Sequence, residues 1–295
     1  MKIWRILVLL VAVGVSTVAL AETKVDQTRP LAATGEIEIS NVSGSVNVIG
    51  WDRDAVHVSG TLGSGVKRLE FEGDAKHLRV KVVIPDDSSY STSADLTIQV
   101  PAASRVRLAT VSADADLRGL EGAQSLQTVS GDIHLESGSA DISAESVSGD
   151  VLVRGSAGNA HVSLHSVSGD VTGDKLDGDI AAQSVSGNVT LTAGTLTRLE
   201  LKSTSGDLDV SGRITGDGRF EMETVSGDVR LTTPDAPDAE FNLSTFSGSI
   251  SNAYGPEAEE NGRYAPGQHL RFTSGAGKAN VRINTMSGDI RLEKR

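Results

Sequence analysis

A chain of 295 residues has room for one elongated domain or two compact ones, but 3% aromatic residues and 32 glycines supply a thick globular core poorly. A net charge of −12 disfavours nucleic acid and bare anionic headgroups as partners. The lack of cysteine excludes disulfides and a lipid-modified N-terminal cysteine.

Residues 1–21 read as a secretory signal peptide. Lys2 and Arg5 precede the apolar stretch 6–20, and Ala19, Leu20 and Ala21 make a small-x-small cleavage site. Removing the peptide takes the net charge to −14. No later segment is long enough to cross a bilayer as a helix. The chain is therefore expected to be exported, to the periplasm or cell surface of a bacterium. Residues 22–34 are polar, contain Pro30, and are expected to form a leader before the fold.

Residues 35–109 alternate apolar and polar side chains, as strands half-buried on one face do. Trp51 is the single tryptophan left after cleavage and is expected to cap the open end of the core, since terminal repeats need an atypical unit. Asp86 and Asp87 are expected to be solvated turn formers rather than a catalytic pair.

Residues 110–295 carry the feature that organises the chain. A six-residue phrase of Ser/Thr, apolar, Ser, Gly, Asp/Asn/Ser, apolar recurs at 128–133, 146–151, 166–171, 184–189, 203–208, 224–229, 245–250 and 285–290. A degenerate copy at 110–115 has Ala113 in place of glycine, and an early outlier lies at 41–46. The glycines are about 20 residues apart, except for a step from Gly248 to Gly288 that reads as two periods. Around one copy, Ile142, Ala144, Val147, Val151 and Val153 alternate with polar residues, with one slip at the turn. Two such short strands cannot bury their apolar face alone, whereas stacked coils share one core. The expected fold is all-β, a single-chain parallel β-solenoid (β-helix) with coils of about 20 residues. The valines of the phrase are expected to stack inside it.

The corner ladder is then Gly131 and Asp132, Gly149 and Asp150, Gly169 and Asp170, Gly187 and Asn188, Gly206 and Asp207, Gly227 and Asp228, Gly288 and Asp289. Glycine permits φ > 0 and aspartate bonds its own backbone, so the ladder is expected to be structural. A row of carboxylates also invites a cation, but the nine-residue period and paired glycines of a calcium roll are missing. No metal, cofactor or catalytic residue is assigned. His161 and His165 share one strand face and are expected to be exposed polar residues. The excursion 252–269 holds Tyr254, Glu257, Glu259, Glu260, Arg263 and Tyr264, and is the candidate interaction loop because binding residues gather on loops of rigid scaffolds.

Several motifs together carry a resemblance. They are the alternation over 35–48, Gly50, Trp51 and Asp52 in succession, Val100 followed by Pro101, the Ser-Gly-Asp array, and its closing copy at 287–290. The chain resembles the bacterial exported β-strand-repeat family (domain of unknown function 4097), whose members carry an adhesin label inferred from shape. The resemblance implies a β-solenoid in the cell envelope, and some members are linked to envelope-stress responses. It brings no catalytic residues. The expected function is a non-enzymatic envelope or surface module that binds a glycan, peptidoglycan or protein, with end-to-end self-association open. A periplasmic stress sensor, including one for cationic peptides, and a polysaccharide-active enzyme are the alternatives.

Overall fold

The apolar alternation folds as two strands per repeat, joined at the Ser-Gly-Asp corner. The computed structural model describes residues 22–85, 92–138, 141–155, 160–260 and 266–295. The expected signal peptide, Asp86 and Asp87 lie outside them. The described residues contain no helix, and none is therefore long and apolar enough to cross a membrane.

Strand Ile142–Ser146 lies parallel between Gln124–Thr128 and His161–Ser166, while Val151–Arg154 lies parallel between Ile133–Ser137 and Val171–Gln183. Each repeat thus adds one rung to two facing ladders. Ile142 and Ala144 point inward from one ladder, and Val151 and Val153 from the other. One continuous apolar core results, running from Val25 to Leu292 in the sequence. Each buried Val, Leu or Ile contributes roughly 1.5–3 kcal/mol.

Both ends depart from simple succession. The last coil, 279–294, does not lie at the end. It is inserted between 219–233 and 239–252, on both ladders. The 40-residue step to Gly288 is therefore one coil plus an outward excursion, not two periods. The first coil is inserted in the same way. Strand Glu36–Trp51 lies between Arg105–Leu120 on one side and, on the other, His77–Val83 and Ser93–Pro101.

The outermost strands run antiparallel, where a solenoid parallel throughout was expected. Arg68–Gly73 pairs with His77–Val83, Ala55–Leu62 with Ser93–Pro101, and Gln268–Ser274 with Ala239–Ser247. A short hairpin joins the first of these pairs, whereas the strands of the other two are brought together over longer stretches of chain. The expected leader 22–34 is also corrected. Thr23–Pro30 is a strand, paired antiparallel with Ala55–Leu62. It reads as polar because it is an edge strand, with Val25 buried and its other side chains exposed.

Trp51 is not the cap. Its coil lies inside the stack, and its side chain fastens the turn that follows. The indole Nε1–H donates to the Ala55 carbonyl at 2.8 Å, and the ring lies against His57 and under the Arg53 guanidinium. Phe71 and Val25 occupy the outermost strands of the N-terminal end, with Arg29 over the Phe71 ring at 5.4 Å. At the other end Phe272 stacks on Phe241 at 4.6 Å, and Tyr254 packs on Phe241 at 6.2 Å.

Candidate functional site

The phrase assigns each of its positions a distinct task. The first residue points inward. Ser166 Oγ accepts the Gly169 N–H at 2.9 Å and donates to the Gly149 carbonyl of the preceding coil at 3.2 Å. The glycine lets the coils close up. A Cβ on Gly149 would stand 2.0 Å from the Gly131 carbonyl oxygen, and Gly169, Gly187, Gly206, Gly227 and Gly288 repeat that approach. Ala113 pairs with Gly44, whose φ of +103° gives that earlier corner a different course.

The fifth residue links coils through its own side chain. The Asp150 N–H donates to Asp132 Oδ1 at 2.9 Å, Asp170 to Asp150 at 2.8 Å, and Asn188 to Asp170 at 2.8 Å. Asp207 N–H then donates to Asn188 Oδ1 at 3.0 Å, Asp228 to Asp207 at 2.8 Å and Asp289 to Asp228 at 2.8 Å. One oxygen of each carboxylate is thus engaged by backbone. Among the described residues there is no group of three or more His, Asp or Glu placed to hold a metal ion.

The second residue was expected inside and is outside. Val111, Val129, Val147, Val167, Val185 and Val225 are 37–46% exposed, and the equivalent Phe246 and Met286 are 58% and 59% exposed. The strand phase explains the reversal. Ile142, Ala144 and Ser146 point inward, so Val147, one residue on, points out, and the alternation slips before Val151. An apolar ridge therefore runs along the corner, beside the aspartates. Thr204 interrupts it.

Toward the C-terminal end the ridge borders a groove of about 640 Å³. Val225, Met286 and Phe246 form its apolar side, and Lys202, Glu223 and Asn284 its polar side. Ser203 also lines it, with a buried Oγ that has no hydrogen-bond partner. Lys202 Nζ bonds Glu200 at 2.6 Å, which raises the lysine pKa and lowers that of the glutamate. At this end the aspartate row is partly neutralised. Arg291 donates to Asp228 Oδ2 and Asp289 Oδ2, each at 2.8 Å. The Asp289 N–H and then the Arg291 guanidinium hold the Asp228 carboxyl below the usual carboxylate range.

Of the six candidates on the excursion 252–269, the four described ones do not gather into one site. Tyr254 belongs to the end cap. Its hydroxyl lies 2.9 Å from Thr233 Oγ1 and donates to the Glu293 carbonyl. Glu259 and Glu260 form a short exposed strand, with Glu259 3.6 Å from His269, and Glu257 is exposed. Arg263 and Tyr264 lie outside the described residues. His161 faces Asp179 at 3.4 Å on the exposed side of its strand. The sequence reading missed the ridge, although the phase of Val147 against Ile142 and Ala144 carried the signal.

Solved structures of similar fold include a candidate adhesin from Bacteroides fragilis, 11% identical, with a TM-score of 0.41 over 92% of this chain and 98% of that one. A candidate adhesin from Parabacteroides distasonis is 10% identical, with a TM-score of 0.38 over 92% and 97%. A candidate lipid-binding protein from the same organism is 9% identical, with a TM-score of 0.38 over 91% and 96%. At these values the similarities carry no argument about a ligand. Comparison with curated proteins gives no match. The model of the Toastrack DUF4097 family matches residues 17–185 and again 178–293, almost the whole chain, and the chain belongs to that family.

Proposed function

We propose that this chain is a non-enzymatic, exported binding module of the bacterial envelope or cell surface, and that it holds its partner on the corner ridge. The carrying observation is that the second position of the phrase presents an exposed apolar side chain in coil after coil, ending in Met286 and Phe246. Contiguous apolar surface on a water-soluble scaffold marks an interaction site. The signal-peptide pattern at 1–21 supports export. The corner aspartates, the most regular acidic feature, serve the stacking of coils, which favours a binding over a catalytic reading.

The test is a binding panel of glycans, peptidoglycan, lipid vesicles and envelope proteins, run on the chain without residues 1–21. Saturable binding to one component is expected, and its loss in the combined variant Val225→Ser, Met286→Ser, Phe246→Ser at unchanged Tm. No saturable binding, binding indifferent to that variant, or cleavage of a polysaccharide would overturn the proposal.

A further inference from the structure

The corner is more apolar and more acidic than its architecture requires, and the chain itself shows this. The fifth position must supply an acceptor oxygen to the next coil. Asn188 does so with an amide oxygen, at 3.0 Å from the Asp207 nitrogen, within 0.2 Å of its charged neighbours. A negative charge is therefore dispensable to the stack. The second position bears no inward load, and Thr204 occupies it in one coil. Yet Asp114, Asp132, Asp150, Asp170 and Asp207 keep their charge, with no cationic partner among the described residues. Adjacent rungs are about 4.8 Å apart, so these like charges repel. Beside them stand Val111, Val129, Val147, Val167 and Val185, all exposed. Surplus charge and surplus apolar surface thus coincide over 110–189. Farther on, Arg291 partly neutralises the acidic row.

From this we infer that the ridge over 110–189 takes a cationic amphipathic peptide in extended form, apolar side chains on the valine row and cationic ones on the aspartates. This rests on the ridge being the binding surface, and names the chemistry it selects. Charge complementarity decides between occupants. A second copy of this chain would bring its own aspartate row against the first, and an anionic amphiphile would meet the same repulsion. An extended peptide of about eight residues spans roughly 26 Å, enough to cover the five rungs over 110–189.

The test uses the chain without residues 1–21 and three labelled octapeptides, alternating Lys-Leu, Lys-Ser and Glu-Leu, read by fluorescence anisotropy. Lys-Leu is expected to bind at least tenfold more tightly than either other peptide, and more weakly as salt rises. Asp150→Asn with Asp170→Asn, and separately Val147→Thr with Val167→Thr, should each weaken it about tenfold or more at unchanged Tm. Asn188 and Thr204 are the native precedents for those replacements. Equal binding of the three peptides, or full affinity in either double variant, would overturn the inference. So would a dimer of the unliganded chain abolished by Val147→Thr with Val167→Thr, which would put a second copy on the ridge. If the panel above finds a ridge-dependent partner while Lys-Leu does not bind, the ridge stands and the inference falls. If no ridge-dependent partner is found and Lys-Leu still binds with both double variants impaired, the inference stands alone.

Discussion

The same corner is dressed differently along its length. From 110 to 189 it shows valines beside aspartates that have no cationic partner among the described residues. From 204 to 289 it shows Thr204, Val225, Met286 and Phe246, beside aspartates that Arg291 begins to neutralise. Beneath the surface the two stretches are built alike, with an inward hydroxyl, a glycine against the carbonyl of the preceding coil, and an acceptor oxygen for the following one. The difference teaches which positions the fold owns. The first and fourth residues are fixed by packing, and the fifth needs an acceptor of any charge. The second bears no inward load and can vary without disturbing the stack.

The largest effects should come where the two stretches are the same. Gly149→Ala and Gly227→Ala would each push a Cβ to about the same distance from a backbone carbonyl, 2.0 Å and 2.2 Å. Neither carbonyl can move without shifting its own rung. Each substitution is expected to cost about 3 kcal/mol, the upper end of overpacking penalties, measured by urea denaturation. Gly216→Ala is the control. Nothing lies within 4 Å of its Cβ, and its φ of +75° alone should cost about 1 kcal/mol. Unequal losses at Gly149 and Gly227 would show that the two stretches do not share one frame.

The inward hydroxyls come next. Ser166→Ala removes an acceptor from the buried Gly169 N–H and a donor from the Gly149 carbonyl, an expected loss of about 1–3 kcal/mol. Ser203→Ala should instead stabilise the fold by about 1 kcal/mol, because it removes a hydroxyl that is buried without a partner. A shared cost at both sites would mean that the ladder of hydroxyls runs unbroken past the groove. Tyr254→Phe removes a hydroxyl held by Thr233 and Glu293, at an expected cost of about 1 kcal/mol.

How much of this was legible follows from the range over which each signal acts. The repeat announced an all-β solenoid because period-two alternation and a recurrent glycine are local properties. The Gly and Asp positions stood out for the same reason. The order of coils at the ends did not, since nothing local tells 279–294 to insert between 219–233 and 239–252. Thr23–Pro30 was hidden because an edge strand need bury only one residue, here Val25. Trp51 and Tyr254 exchanged roles, a cap expected of one and found with the other. Aromatic character does not say which rung lies outermost. The ridge was readable in principle. Counting phase through Ile142, Ala144 and Ser146 puts Val147 outside, but a valine in a β-rich repeat invites the assumption that it is core.

The smallest expected effects lie in the aspartate row, where the two stretches should part. Asp150→Asn keeps the acceptor for the Asp170 N–H, so its stability change should stay within about 0.5 kcal/mol at neutral pH. Asp228→Asn also keeps its acceptor but gives up the ion pair with Arg291. That pair is part-exposed and screened, so the loss should be no more than about 1 kcal/mol at neutral pH. Its sign with pH is definite. The Asp228 carboxyl titrates below its ordinary value of 3.8 in the folded chain, so its contribution is fully present above that value. The contribution fades as pH falls through the lower folded value. Wild type and Asp228→Asn should therefore differ at pH 7 and converge in acid. Thermal melts of wild type and Asp228→Asn between pH 2 and pH 7 would check it. A difference that does not close in acid would mean that Arg291 does not set this end of the corner apart.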